Sequence, residues 1–263
     1  MDVIYGIHAV SEVVQSRPQR LEYVAVARAA QDARLRKLLE SCRAAKVTVR
    51  SLAREELTRL AGNGGHQGVI AVASSRAYAG LEDILARQRG AHRFIVVLDG
   101  VEDPHNLGAV IRTADGAGAD GILIPENRAA GITAVVAKVS AGASEHLPVA
   151  RITNVARTVE ELKRRNVWTV GLDERGSQTY DQLDYNMDCA LVLGAEGHGL
   201  HQLVRDRCDF LVSIPMLGKV PSLNVSVAAA VVMYEVARQR RMALAAQNDG
   251  SPKPRRRTGG DDR

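Results

Sequence analysis

Aromatic side chains are scarce in this 263-residue chain. One Trp, two Phe and six Tyr make up 3% of it. This counts against a nucleic-acid reader whose strands present several stacking aromatics. Cysteine is equally sparse. Cys42, Cys189 and Cys208 form neither a CxxC pair nor an even disulfide framework, which points to reduced thiols in a cytoplasmic protein. No apolar run reaches the roughly 18 residues of a membrane helix, and the opening MDVIYGIHAV has no basic segment ahead of a long apolar one. No membrane partner is expected. There is no Walker A motif and no internal repeat. His198 and His201 form an H-x-x-H without further Cys or carboxylate partners at ligand spacing, so no metal is expected.

What is present suits a folded, soluble chain: 46% hydrophobic and 25% charged residues. The net charge of +5 is unevenly spread. Residues 1–76 carry 12 Lys+Arg against 7 Asp+Glu, whereas 77–263 carry 23 of each. The N-terminal segment is the better phosphate-facing surface, although a mildly basic solvated face explains the excess equally well.

Strand patterns lie at 21–27, 46–50 and 68–73, alternating with helical patterns at 7–16, 32–44 and 53–61. The glycine-rich GNGGHQG (62–68) closes this small α/β unit. Residues 77–92 read as a linker with one helical stretch, LEDILARQ. A second region then alternates strands at 94–98, 121–124, 167–172, 189–193 and 210–214 with helices near 105–117, 132–143, 153–165, 200–206 and 224–241. Strands separated by helices predict a parallel sheet covered on both faces. Residues 245–263 lack apolar side chains beyond two alanines and are expected to form a disordered basic tail around Lys253 and Arg255–Arg257.

GAGADG (116–121) matches the G-x-G-x-x-G dinucleotide fingerprint, but here it ends a helix and precedes a strand. The order is the reverse of what a dinucleotide site needs, so a nicotinamide dehydrogenase is rejected. Gly116 and Gly118 read as helix termination.

Three segments follow predicted strands, where ligands gather in open α/β sheets. In LDGVEDPHNLGAVIRTADGAG (98–118), Asp103 and Pro104 look like a cap and first helical residue, with Asn106 as an alternative start. Asn106 and Arg112, six apart, lie almost on one side of that helix. The plain readings are a cap for Asn106 and a surface arginine paired with Asp115 for Arg112. In LVLGAEGHGL (191–200), an apolar strand enters three glycines surrounding Glu196, which suits close approach to a ligand. In VSIPMLGKVPSLNVSVAAAVV (212–232), a Pro/Gly loop leads into a long helix that Ser222 or Asn224 can cap.

Together these segments resemble the three signature motifs of the SpoU/TrmH branch of the SPOUT RNA methyltransferases. Asn106, Gly108, Arg112 and Ala114 carry the first motif. Gly194, Glu196, Gly197 and Gly199 carry the second. Ile214, Pro215, Met216, Ser222, Leu223, Asn224, Ser226 and Ala228 carry the third. The resemblance covers roughly 93–241. YGIHAVSEVV (5–14) and HQGVIAV (66–72) also look like the small ribosomal-protein-like recognition domain of the members that methylate a guanosine ribose in 23S ribosomal RNA.

The resemblance implies an α/β fold: an RNA-recognition domain (1–76), a linker (77–92) and a methyltransferase domain (93–244) with a parallel sheet and a deep trefoil knot. It implies S-adenosyl-L-methionine as cofactor, bound by Gly194, Gly197, Ile214, Met216, Leu217 and Leu223. Asn106, Arg112, Glu196, Ser222 and Asn224 become the candidate catalytic residues. It further implies a homodimer with the C-terminal helix at its interface. Lys219 and Pro221 are bulkier than the family pattern leads one to expect, and His198 is assigned no role. Arginine is a poor base, so a phosphate clamp is the more comfortable task for Arg112. Whether a phosphate or a neutral Arg112 accepts the hydroxyl proton stays open. The rival substrates are a tRNA guanosine and a resistance-type ribosomal RNA site. The rival class is an idle RNA-binding module, against which Arg112, Glu196 and Asn224 argue together.

Overall fold

A computed structural model of the chain describes residues 2–28, 33–74, 77–195, 197 and 199–248. The first part runs β1 (Asp2–Tyr5), α1 (Ile7–Ser16), β2 (Leu21–Ala27), α2 (Ala33–Ala44), β3 (Val49–Leu52), α3 (Arg54–Ala61) and β4 (Val69–Ala73). Its strands lie in the order β1-β4-β2-β3. β4 is antiparallel to β1 and β2, and β3 is parallel to β2. Helix α1 forms because Val10, Val13 and Val14 recur at helical spacing. They bury beside Leu35, Leu38 and Cys42 of α2 on one face of the sheet. Leu57 of α3 fills the other face with Tyr5, Ala25 and Ile70.

The second part runs α4 (Leu81–Leu85), β5 (Phe94–Asp99), α5 (Pro104–Gly116), β6 (Gly121–Pro125), α6 (Ala134–Val139), β7 (Val149–Ile152), α7 (Val155–Arg164), β8 (Trp168–Leu172), β9 (Gln178–Thr179), β10 (Cys189–Gly194), α8 (Gln202–Arg205), β11 (Phe210–Ser213) and α9 (Val225–Asn248). These strands form one sheet in the order β7-β6-β5-β10-β8-β11-β9, and all pairings are parallel. β5 and β10 are buried along their whole length, as strands covered on both faces must be. Residues of α5 and α9 cover one face. Residues of α4, α7 and α8 cover the other. The chain moves outward from β5 to β7, then returns to lay β8, β10 and β11 on the far side. This reversal leaves a crevice at the carboxyl ends of the strands, the usual ligand position in such sheets.

Several elements differ from the sequence reading. β1, β7 and β9 are additional strands of two to four residues. The helix expected over 132–143 stops at Val139, because Ala141 turns left-handed at φ +51, Gly142 follows at φ +90, and a 3-10 turn comes next at Ala143–Glu145. Helix α9 runs on to Asn248, and the rest of the tail expected to be disordered lies outside the described residues. Within 77–92, Ala79 bridges to Ala150 and Ile84 is fully buried against Gly121. GAGADG does end α5 and lead into β6, with Gly118 at φ +80.

The two sheets meet through α6 and the turn after it. Ala137 buries into the core of the first unit. Arg20 donates to Glu145 at 2.7 Å, with side chains only 12% and 5% exposed. Glu12 contacts His146, and Lys138 lies over the Tyr5 ring. On its other side α6 packs against α5, with Val139 set against Gly108. No helix among the described residues is long and apolar enough to cross a membrane.

Candidate active site

Parallel register brings four strand ends to one edge of the sheet. Asp99 of β5 stands beside Gly194 of β10, and Leu193 is paired with Leu172 of β8, which pairs in turn with Val212 of β11. At this edge lies a cavity of about 270 Å³. Its apolar wall includes Leu172, Leu193, Ile214, Leu223 and Val225. Gly194, Ala195, Gly197 and Gly199 bring main chain directly to it.

The second motif makes this possible. Ala195 and Gly199 exchange two backbone hydrogen bonds of 3.1 Å, closing a tight loop. Gly197 and Gly199 take φ +77 and +63, values that L side chains rarely adopt. A methyl group on Gly194 would collide with the backbone of Gly199 and Leu200. Asp99, nearly buried, accepts from the His201 amide at 2.9 Å and faces its ring Nδ1 at 3.0 Å, pinning the far end of the loop. Glu196 and His198 lie outside the described residues.

The first motif opens α5. Asp103 caps it by accepting from the His105 amide at 2.9 Å, Pro104 is its first residue, and Asn106 is therefore inside the helix. Asn106 is buried, and its Oδ1 accepts from Asn224 Nδ2 at 3.1 Å. Asn224 caps α9: its Oδ1 accepts from the Ser226 amide at 2.9 Å and from Ser226 Oγ at 2.6 Å. The first and third motifs, 118 residues apart, are thus joined by one side-chain bond at the start of two helices.

Arg112 lies about 9 Å further along α5. It is exposed, and no hydrogen bond or ion pair ties it among the described residues. Asp115, its nearest helical acid, pairs instead with Arg89 at 3.0 Å. Arg112 does not line the cavity. Of the expected cofactor residues, Gly194, Gly197, Ile214, Met216 and Leu223 line it, as does Ser222. Leu217 does not; its side chain is 99% exposed. Pro221 forms part of the wall.

Sequence reasoning missed Asp173, Glu174, Arg175 and Arg205, which supply the charged part of the lining. For the first three the signal was available, because DERG (173–176) directly follows the predicted strand at 167–172. The cysteines take no part in the lining. Burial pushes the thiols of Cys189 and Cys208 up to about 11 and about 12, so neither is a thiolate nucleophile near neutral pH. Among the described residues no group of three or more His, Cys, Asp or Glu side chains is placed to hold a metal ion.

Comparison with known proteins accounts for both sheets. Residues 93–234 match the model of the SpoU rRNA methylase family, and residues 3–79 match that of the RNA 2′-O ribose methyltransferase substrate-binding domain. The chain is 44% identical over 239 residues to the 23S rRNA (guanosine-2′-O-)-methyltransferase RlmB of Bordetella pertussis, covering 90% of this chain and 97% of that one. It is also 44% identical to the TrmH-family protein YacO of Bacillus subtilis, over 91% of this chain and 96% of the relative. Among solved structures, the SpoU methyltransferase AviRb of Streptomyces viridochromogenes in complex with AdoMet superposes with a TM-score of 0.75 at 27% identity, covering 91% of this chain and 90% of that one. With both halves matched in order, the chain belongs to the SpoU rRNA methylase family.

Proposed function

We propose that this protein transfers a methyl group from S-adenosylmethionine to the ribose 2′-hydroxyl of a guanosine in 23S ribosomal RNA. One observation carries the reading: a cavity with a glycine floor and apolar walls sits on the same sheet edge as the Asn106–Asn224 bond. Its volume of about 270 Å³ approaches the lower end of small-molecule sites. The glycines admit a ligand against main chain, and the leucine and isoleucine walls suit a flat base. Gly194, Gly197, Ile214, Met216 and Leu223 would hold the cofactor. RlmB supplies the guanosine and the 23S RNA, and the AdoMet complex of AviRb supplies the cofactor.

Bound there, S-adenosylmethionine would supply an electrophilic methyl carbon to the ribose oxygen, whose proton would pass to a phosphate of the RNA or to a neutral Arg112. The protein's part is positioning and charge. Arg112, exposed and untied, clamps a phosphate of the bound RNA and offsets the charge that develops on the attacking oxygen. Asn106 and Asn224 fix the helix starts that carry the first and third motifs. Ser222, on the cavity wall, holds the nucleotide. Alignment of this kind is worth on the order of 7–11 kcal/mol in ideal cases.

The same reading includes the trefoil knot, supported by the close passage of Gly176 against the backbone of Val212 and Ser213. It includes a homodimer, supported by the apolar residues Val227, Tyr234, Met242 and Leu244, which stay exposed on α9 although its opposite side is buried on the sheet. It includes division into a recognition domain (1–76), a linker (77–92) and a methyltransferase domain (93–244), acting in the cytoplasm where ribosomal RNA is found.

The test is deletion of the gene followed by mapping of 2′-O-methyl groups in total RNA. Loss of one guanosine methylation in 23S RNA, restored by the purified protein, is the expected outcome. Loss of a tRNA methylation instead would assign the enzyme to the tRNA-directed members. An unchanged map would reject the activity.

A further inference from the structure

The cavity contains a carboxylate that none of the motifs accounts for. Asp173 lies just past the end of β8, and its side chain is 5% exposed. Its Oδ1 accepts from the Arg175 amide at 3.0 Å, closing the turn after the strand. Its Oδ2 is 3.6 Å from Arg205 Nη1, within ion-pair range but beyond a hydrogen bond, and no hydrogen-bond donor reaches it among the described residues. A nearly buried carboxylate oxygen that faces a cavity without a donor is costly unless a ligand supplies one.

The surroundings identify that donor. Asp173 and Glu174 are matched in the lining by Arg175 and Arg205, so this end of the cavity carries no net charge. A balanced site gives a free cation little attraction, while a charged oxygen remains a strong acceptor for neutral hydroxyls. Sheet order also limits what can reach it. β8 is two strands from β5, about 10 Å from the strand that leads into α5. A donor whose methyl group faces the α5 side therefore extends its attached sugar toward β8.

The geometry points to Asp173 as the residue that accepts the ribose hydroxyls of the adenosine part of the methyl donor, with Arg205 holding its carboxylate in place. This inference rests on the methyl-donor reading above. Asp173 is a specificity residue for the cofactor and takes no part in moving the proton or the methyl group.

Isothermal titration of the full-length protein separates the possibilities without relying on turnover. The probes are S-adenosylhomocysteine, its 2′-deoxyadenosyl analogue and 5′-methylthioadenosine, which keeps the ribose but lacks the amino acid. Wild-type protein is expected to prefer S-adenosylhomocysteine over the deoxy analogue by about 10- to 100-fold, the range for a lost hydrogen bond to a charged group. Asp173→Ala should bind both S-adenosylhomocysteine and 5′-methylthioadenosine more weakly by a similar factor, and its preference over the deoxy analogue should shrink toward parity. Asp173→Asn, which can still accept from the Arg175 amide, should show the same loss of discrimination with the turn intact.

Equal binding of ribo and deoxy probes by wild type would overturn the assignment without any variant. So would an unchanged preference in Asp173→Asn. Weakening confined to S-adenosylhomocysteine, with 5′-methylthioadenosine unaffected, would move Asp173 to the amino-acid end and likewise overturn it. Absence of S-adenosylhomocysteine binding by wild type would bring down the methyl-donor reading itself, and this inference with it.

Discussion

Replacing Gly108 with alanine sets two physical effects against each other. Gly108 lies inside α5, where alanine is favoured over glycine by about 1 kcal/mol. Propensity alone therefore predicts a more stable protein. The structure predicts the reverse. A methyl group at Gly108 would lie 2.7 Å from Val139 Cβ, 2.9 Å from its Cγ1 and 3.2 Å from the Val136 carbonyl oxygen. Carbon atoms pack comfortably at about 3.5–4.0 Å, so α6 must retreat by close to an ångström. Overpacking of this kind costs about 1–3 kcal/mol, and contact with a β-branched residue and a backbone oxygen places it at the upper end. The net loss is then about 2 kcal/mol, a fall in melting temperature of roughly 4–8 °C for a chain of this size. Because α5 carries Asn106 and Arg112, methylation should slow, while S-adenosylhomocysteine affinity, set by the β8–β10–β11 side, should hardly change. Thermal denaturation, calorimetry and a methylation assay read the three quantities separately. A variant that melts at or above the wild-type temperature would refute the packing argument and leave propensity the winner.

Arg112→Ala should abolish methylation yet leave melting temperature and S-adenosylhomocysteine binding near wild type, because the guanidinium is exposed and untied; near-normal turnover on its RNA would remove Arg112 from the site. Gly194→Ala should lose cofactor binding outright, since the new methyl has only the backbone of Gly199 and Leu200 to displace; calorimetry with S-adenosylhomocysteine checks it. Arg20→Ala leaves Glu145, only 5% exposed, without its 2.7 Å partner and should destabilise the protein by about 3–5 kcal/mol, read in urea denaturation. His66 is fully buried and accepts from the Gly68 amide at 3.1 Å. Burial, reinforced by Arg54 and Lys138, holds its pKa below the ordinary 6.5. The unfolded state then binds the extra proton, so stability present above pH 6.5 is lost as pH falls through the lowered folded value. His66→Gln should flatten the melting-temperature profile on the acid side of pH 6.5, and an unchanged profile would show that another group is responsible.

The elements that proved readable were those whose pattern repeats. Val10, Val13 and Val14 mark α1, and the continuous apolar run of β5 marks a strand buried on both faces. The reversed context of GAGADG was equally legible, because a dinucleotide loop needs strand before helix. Short edge elements escaped. DVIY and VARI are four residues each, too brief for a period to show, and both become strands only because a neighbouring strand offers them hydrogen bonds. Local sequence also could not show that Asn106 would meet Asn224, a contact made by tertiary folding across 118 residues. Asp173 could have been read from its place just past a predicted strand, whereas Arg205 could not. Arg205 looks like an ordinary surface charge until the β8 end and α8 close on the same cavity. The side chain of Leu217 shows the converse: a position inside a recognisable motif points away from the cavity, because a Pro/Gly loop does not dictate which way its members face.

The junction at α6 has a consequence for both units. One side of this short helix is part of the first sheet's core, and its other side supports α5. On the function proposed above, the RNA-binding unit and the reacting edge are linked through this one helix and the turn after it. A substitution that loosens α6 would then disturb both the first unit's core and the helix that carries Asn106 and Arg112.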